Sequence, residues 1–300
     1  MRWLKRIAKG VGAGLGLMLL ALVFVGAYLR LDKEHVFYEA RGTYRDVVTL
    51  ESWESDRSSV RLLELRNERG DAVANAYFRR PFELDPDYRV VVTYAGAKTR
   101  KRILTLVPDR SDVVLVGMQY PYESRKGFLH HLRWPHDVRQ AVFRTVAGGM
   151  LAVSFLQKEE KLNIERLVVV GVSVGGPFAT MHGALDERVP TVVLIHAGGN
   201  LPAQILAAAK RRWLAGIAAA LAAIFFDTFE PLHYIDRIAP RRLIMIAARE
   251  DMLLPVENVE ELYANAGEPK EIIWTESGHV RSKDKNLITD IIGRLEQYLE

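Results

Sequence analysis

Residues 167–179, with the sequence LVVVGVSVGGPFA, constrain the fold of this 300-residue chain more than any other stretch. Their β-branched run, residues 167–170, is typical of a buried parallel strand, because both faces of such a strand are covered. Gly171 and Gly175 flank Ser173 at two residues on either side and suit a very sharp turn from strand to helix, where side chains would collide with backbone. Such a turn lifts the serine hydroxyl above the sheet, within reach of a base. The alternative is an ordinary glycine-rich turn with a bystander serine, because the short pattern recurs by chance.

The form Gly-x-Ser-x-Gly resembles the nucleophile elbow of the α/β-hydrolase superfamily, and the resemblance covers about residues 37–300. It implies a serine nucleophile, followed in the chain by an acid and then by a histidine. The layout, with a hairpin before the core, looks closest to the dienelactone-hydrolase and prolyl-oligopeptidase-like branches of that superfamily.

Two residues downstream match the implied acid and histidine. Asp251 directly follows an apolar strand, and His279 lies in the loop Glu-Ser-Gly-His, which looks like the superfamily's histidine loop. The neighbouring Glu250 is the alternative acid, and His233 is disfavoured as the base because it precedes the acid. In such a triad the histidine takes the proton of the attacking serine, and the carboxylate fixes the tautomer of the histidine. The order of Ser173, Asp251 and His279 therefore predicts a catalytic triad.

The loops around this triad supply further candidates. The resemblance implies that the N–H of Val174 donates to the oxyanion of the reaction and that a second donor, Tyr94 or Ala95, comes from the loop after another strand. Many relatives have His-Gly at this point, whereas this chain has Tyr-Ala-Gly, so the second donor stays open by a residue. His196 ends the strand after the elbow helix, and we expect it either to touch substrate or to be a hydrogen-bonded strand-end histidine.

Apolar strands alternate with helical segments along most of the chain, which indicates an α/β fold with a mostly parallel sheet and helices on both faces. Turn residues at 67–71 predict a hairpin that forms an antiparallel edge of this sheet. Strands are predicted at residues 41–51, 59–66, 72–78, 88–94, 112–118, 167–170, 191–196, 242–248 and 271–274. Helices are predicted after the elbow and at residues 134–158, 256–265 and 286–298.

The N-terminal segment reads as a membrane anchor. Residues 11–29 carry no charge, follow four cations and would span about 28 Å as a helix, close to the hydrocarbon thickness of a bilayer. The cations are expected to hold the N-terminus in the cytoplasm, which places the rest of the chain on the extracytoplasmic side. The alternative is a signal peptide cleaved near residues 25–27, which would leave the protein secreted. Residues 32–38 read as a short juxtamembrane linker.

We therefore predict a cytoplasmic stub, transmembrane helix and linker at residues 1–35 and a catalytic domain at residues 36–300. Within that domain, residues 200–232 are expected to form a helical cap insertion, because residues 201–226 are alanine-rich and lie between two sheet strands. Their last fourteen residues are apolar but too few to cross a bilayer comfortably. Three alternatives are open for the insertion. It forms a pair of core-packing helices, a lid that contacts the membrane or an apolar substrate, or a second transmembrane span.

Composition excludes several other classes of protein. The chain has no cysteine, which excludes disulfides, cysteine-ligated metals and thiol catalysis. Residues 31–300 carry 36 basic and 37 acidic side chains, a balance that does not favour a nucleic-acid partner. The histidines at 130, 131 and 136 lack the carboxylate partners of a metal site, and no phosphate or dinucleotide motif is present, so neither a metal nor a cofactor is expected.

The sequence thus favours a membrane-anchored serine hydrolase that cleaves a small-molecule or lipid-like carboxylic ester through an acyl-enzyme. A serine peptidase or an acyltransferase could use the same triad. From a different class, the domain could be a non-catalytic binding module on a hydrolase fold.

Overall fold

A computed structural model describes residues 34–96, 99–121, 128–208 and 226–299, together with isolated positions between 14 and 24 and between 216 and 224. Among these residues no helix is both long and apolar enough to cross a membrane. The predicted anchor at residues 11–29 lies outside the described residues, apart from four positions.

Nine strands of the described chain form one sheet in the order β1-β2-β3-β5-β4-β6-β7-β8-β9. They are β1 (Tyr44–Glu54), β2 (Ser58–Asn67), β3 (Ala72–Pro81), β4 (Arg89–Tyr94), β5 (Val113–Met118), β6 (Leu167–Val172), β7 (Thr191–Ile195), β8 (Arg242–Ala248) and β9 (Lys270–Thr275). The described helices are α1 (Glu34–Arg41), the single turn α2 (Ile103–Leu106), α3 (Phe128–Lys158), α4 (Gly176–Leu185), α5 (Leu201–Ala208), α6 (Val256–Asn265) and α7 (Lys285–Leu299).

The sheet has an antiparallel edge and a parallel remainder, as the sequence predicts. Antiparallel pairs join β1 to β2, β2 to β3 and β3 to β5. Parallel pairs join β5 to β4, β4 to β6, β6 to β7, β7 to β8 and β8 to β9. The chain moves from β4 outward to β5 and then returns across β4 to β6. The order of strands therefore reverses at β4, and in open α/β sheets ligands bind beyond the carboxyl ends of strands at such a point.

Both faces of the sheet are covered, and the alternation of side chains along the central strands shows how. On β8, Leu243 and Met245 join the core formed with α3, α4 and α6, whereas Ile244 and Ile246 join the core formed with α7. Burial on both faces explains why the parallel strands are runs of apolar residues rather than alternating ones. The prediction of helices on both faces is confirmed.

Helix α1 corrects the prediction of a linker at residues 32–38. Phe37 of this helix is fully buried and makes edge-on ring contacts with Phe143, Phe229 and Tyr234. An ion pair joins Glu34 to Arg237, which lies 203 residues later in the chain. These contacts bury an aromatic ring that would otherwise face water, so the segment from Glu34 onward belongs to the domain.

Several element ends differ from the prediction. The first strand begins at Tyr44 rather than at residue 41, because α1 continues to Arg41. Gly42 follows the last helical residue with a φ of +58°, and its N–H donates to the carbonyl of Tyr38. Helix α3 begins at Phe128, six residues before the predicted start, so Pro135 lies within the helix. Helix α6 has the predicted bounds.

The ends of the predicted insertion are fastened together. The buried carboxylate of Glu230 accepts hydrogen bonds from the N–H groups of Asn200 (2.7 Å) and Leu201 (2.8 Å), at the start of α5. A carboxylate at a helix N-terminus satisfies N–H groups that have no partner within the helix. The described part of the insertion is helical over Leu201–Ala208 and forms short 3₁₀ turns from residue 227. The division of the chain into a cap and a catalytic domain stays a prediction.

Candidate active site

Ser173 lies on a sharp turn between β6 and α4. Its φ is +54°, a left-handed conformation that a serine adopts only where the surrounding structure enforces it. A Cβ on Gly171 would lie 2.6 Å from the Cβ of Ala179, and one on Gly175 would lie 1.8 Å from the carbonyl oxygen of Tyr94. Both glycines are therefore required by close approach of the chain, as the sequence predicts for an elbow.

The structure brings Ser173, His279 and Asp251 together, although 106 residues separate the first two. The Oγ of Ser173 lies 2.7 Å from Nε2 of His279. The Nδ1 of His279 lies 2.5 Å from Oδ2 of Asp251. The three residues follow β6, β9 and β8, so they meet at the carboxyl ends of parallel strands in the same sheet. An acid, an imidazole and a hydroxyl in this contact order can relay a proton from the hydroxyl to the imidazole.

Hydrogen bonds to the carboxylate of Asp251 keep it ionised. Burial by itself raises the pKa of this carboxyl, but hydrogen bonds from His279 and from the N–H groups of Leu253 and Leu254 outweigh it and hold the pKa below its usual value. An ionised Asp251 accepts the Nδ1–H of His279, which leaves Nε2 as the acceptor that faces Ser173.

The alternative acid and base lie elsewhere. Glu250 is exposed and forms no hydrogen bond or ion pair with His279; its N–H donates to the carbonyl of Ser277. His233 is half-exposed and lies 3.5 Å from the carboxylate of Asp227 in the predicted cap.

The three candidate oxyanion donors, Val174, Tyr94 and Ala95, lie at or just beyond the ends of the neighbouring strands β4 and β6. Tyr94 pairs with Gly171 in the register of β4 and β6, so Ala95 and Val174 both lie just beyond the carboxyl ends of paired strands. Tyr94 is the last residue of β4, and Ala95 is the first residue beyond it. The phenol of Tyr120 donates a hydrogen bond to the carbonyl of Ala95. This bond fixes the peptide between Ala95 and Gly96, and sequence reasoning missed it.

A buried polar network lies beneath the same strand. The phenol of Tyr94 lies 3.0 Å from Nδ1 of His182, and Nε2 of His182 lies 3.6 Å from the carboxylate of Asp186. Arg188 binds both oxygens of Asp186, at 2.7 and 2.6 Å. Burial raises the pKa of Tyr94 well above its ordinary value, so the phenol stays neutral. The network holds the side chain of Tyr94 from below and was not predicted.

His196 follows β7 and is buried beside the triad. Its Nδ1 accepts the N–H of Val280 at 2.9 Å and lies 4.0 Å from Oδ2 of Asp251. It is thus hydrogen-bonded at a strand end, the second of the two roles expected for it. Within the described residues, His196, Asp251 and His279 are close enough to hold a metal ion, but the Nδ1 atoms of both histidines already serve in hydrogen bonds.

Comparisons with known proteins bear on the fold. No protein-family model matches the chain, and no curated protein sequence does either. Solved structures do match. An acetyl xylan esterase from Paenibacillus sp. R4 superposes with a TM-score of 0.62 at 15% identity, covering 88% of this chain and 94% of the esterase. The chain has the α/β-hydrolase fold.

Two further structures agree with this assignment. Acetyl xylan esterase 1 from a Thermoanaerobacterium species gives a TM-score of 0.59 at 16% identity over 91% of this chain and 98% of its own. A cold-adapted esterase from an Arctic intertidal metagenomic library gives 0.54 at 15% identity over 86% of this chain and 100% of its own.

Proposed function

We propose that this α/β-hydrolase chain is a serine hydrolase that cleaves a carboxylic ester through an acyl-enzyme on Ser173. The observation that carries the proposal is the continuous contact from Ser173 Oγ to His279 Nε2 (2.7 Å) and from His279 Nδ1 to Asp251 Oδ2 (2.5 Å). Several structures of similar fold are named as esterases, two of them as acetyl xylan esterases, which favours an ester with a small acyl group.

In the first half of the reaction, Ser173 Oγ attacks the ester carbonyl while its proton passes to Nε2 of His279. Asp251 stabilises the imidazolium that forms. The N–H groups of Val174 and Ala95 bind the oxyanion of the tetrahedral intermediate. The imidazolium then protonates the leaving alkoxide, and the acyl group remains on Ser173.

In the second half, water takes the place of the alcohol. His279 accepts a proton from the water as it attacks the acyl carbonyl, and returns that proton to Ser173 Oγ when the carboxylic acid leaves. No group beyond the described side chains and water is needed to balance the reaction.

Labelling with a fluorophosphonate probe tests this proposal. We expect the wild-type chain to be labelled and Ser173→Ala not to be labelled, because the probe phosphonylates only an activated serine. His279→Ala should also lose labelling, whereas His233→Ala, the matched control in the predicted cap, should keep it. Absence of labelling in the wild-type chain at any pH would favour a binding module.

Turnover of esters compared with anilides then separates an esterase from a peptidase. We expect p-nitrophenyl acetate to be hydrolysed faster than aminoacyl p-nitroanilides, with Ser173→Ala inactive on both. Faster turnover of the anilides would replace the esterase by a peptidase.

The hydrolase is further proposed to be held at a membrane by residues 11–29, with its N-terminus in the cytoplasm and the catalytic domain on the opposite side. Four N-terminal cations before an uncharged stretch of nineteen residues support the anchor and its orientation. Only four residues separate this stretch from Glu34, the first residue of the docked helix α1. The domain would therefore lie close to the bilayer surface.

Protease added to spheroplasts of a bacterial host should digest the domain without lysis. A domain that is cleaved only after lysis would overturn the orientation. A chain that starts at residue 31 is expected in the soluble fraction; its recovery in carbonate-washed membranes would overturn the anchor.

A further inference from the structure

His196 occupies a strained position beside the triad. It directly follows β7, has a φ of +47°, and its own N–H donates to the carbonyl of Ile246 on β8 at 2.8 Å. The residue is 1% exposed. A left-handed conformation at a non-glycine residue costs free energy, so the surrounding contacts hold this imidazole where it is.

The contacts of the imidazole define its tautomer. Because Nδ1 accepts the N–H of Val280, it carries no proton, and the proton of the neutral ring is on Nε2. Val280 is the residue directly after His279. His196 therefore fixes the peptide that joins His279, the candidate base, to Val280.

The charge state of the ring matters because Asp251 is so close. A protonated His196 would present an Nδ1–H, lose the bond to Val280 and face Oδ2 of Asp251, which lies 4.0 Å away. It would then compete with His279 for the same carboxylate oxygen. Burial is the main cause that lowers the pKa of His196 to about 4; Asp251 opposes this shift, and the nearby His279 adds to it. The ring therefore stays neutral at pH 7.

We propose that His196 is a positioning residue whose neutral imidazole holds the backbone next to His279 and leaves Asp251 to His279 alone. The inference rests on the proposed function. The loop is also fastened at Ser277, by the N–H of Glu250 (3.1 Å), and at Ser282, by the guanidinium of Arg102 (3.3 Å). These contacts keep the loop folded, but the contact from His196 lies directly beside the imidazole that must reach Ser173.

Two variants separate the hydrogen bond from the space that the ring fills. In His196→Asn the amide oxygen can take the place of Nδ1, and asparagine tolerates a left-handed φ. In His196→Gly the backbone conformation is also tolerated, but no acceptor remains. We expect His196→Gly to lower kcat by about 10- to 100-fold with little change in KM, because a small displacement of a catalytic group costs that much. His196→Asn should stay within about threefold of wild type.

Proton NMR supplies a second readout, the strongly deshielded resonance of the Nδ1–H of His279 in its hydrogen bond to Asp251. We expect it in the wild-type chain and in His196→Asn, and we expect it to be lost in His196→Gly. A folded His196→Gly with wild-type kcat and an unchanged resonance would show that the ring only fills space. A folded His196→Asn as impaired as His196→Gly would rule out the acceptor role.

The wild-type chain labelled with ¹⁵N-histidine tests the proposal without any variant and without turnover. We expect the ring shifts of His196 to report the neutral Nε2–H tautomer from pH 8 down to about pH 5, since the pKa lies near 4. A protonated ring at pH 6, or the Nδ1–H tautomer, would overturn the proposal. If these shifts are as expected but the chain neither hydrolyses esters nor reacts with fluorophosphonate, the proposed function fails and the hydrogen bond to Val280 stands.

Discussion

Replacing Asp251 by asparagine is expected to lower kcat for ester hydrolysis by about 10³- to 10⁴-fold while the fold stays intact. The reason lies in the two oxygens of the carboxylate. Oδ1 accepts the N–H groups of Leu253 (2.8 Å) and Leu254 (3.0 Å), and Oδ2 accepts Nδ1–H of His279. An amide has only one acceptor oxygen, so it cannot serve all three donors.

The asparagine amide will orient its oxygen towards the two backbone N–H groups, because the opposite orientation would leave both of them facing an NH₂ group. The NH₂ group then faces His279 and selects the imidazole tautomer with the proton on Nε2. That tautomer cannot accept the proton of Ser173. The loss should therefore fall on kcat, whereas KM for a small ester should change little.

Steady-state kinetics on p-nitrophenyl acetate measures the effect, and Glu250→Gln is the matched control. The control makes the same chemical change one residue earlier, on an exposed side chain that forms no hydrogen bond or ion pair with His279. It should keep kcat within about twofold of wild type. Equal losses in the two variants, or a larger loss in Glu250→Gln, would assign the acid of the triad to Glu250 or to neither residue.

The parts of the fold that the sequence predicts well depend on local rules. The turn at Ser173 is set by two glycines and a β-branched run within nine residues, and the parallel part of the sheet follows from strands that are apolar on both faces. Helix α6 begins directly after Pro255 and has the predicted bounds for the same kind of reason, since proline suits the start of a helix.

The parts that were missed depend on partners far away in the chain. Helix α1 has eight residues, too few for a clear helical period, and it is held by Phe143, Phe229 and Tyr234, each more than a hundred residues from Phe37. The hydrogen bond from Tyr120 to the loop at Ala95 likewise depends on tertiary packing. For His196, spacing alone left two roles open, because the choice depends on which backbone N–H the sheet brings against the ring.

The substitution Gly175→Ala is expected to destabilise the domain by about 3 kcal/mol or more, or to prevent its soluble expression. The backbone of Gly175 has an ordinary right-handed conformation, with φ of −75° and ψ of −18°, so the cost is one of space alone. The added Cβ would lie 1.8 Å from the carbonyl oxygen of Tyr94 and 2.6 Å from its carbonyl carbon. Tyr94 ends β4, which is paired on both sides, so this backbone cannot move aside without breaking the centre of the sheet.

Urea denaturation of the purified chain measures the effect, and Gly293→Ala is the matched control. Gly293 lies within α7, and a Cβ there would meet no atom within 4 Å. Alanine is the better helix former by about 1 kcal/mol, so the control should be more stable than wild type. The same methyl group thus has opposite effects at the two positions. A Gly175→Ala chain as stable as wild type would mean that the elbow does not press against β4, and the close approach that places Ser173 above the sheet would have to be abandoned.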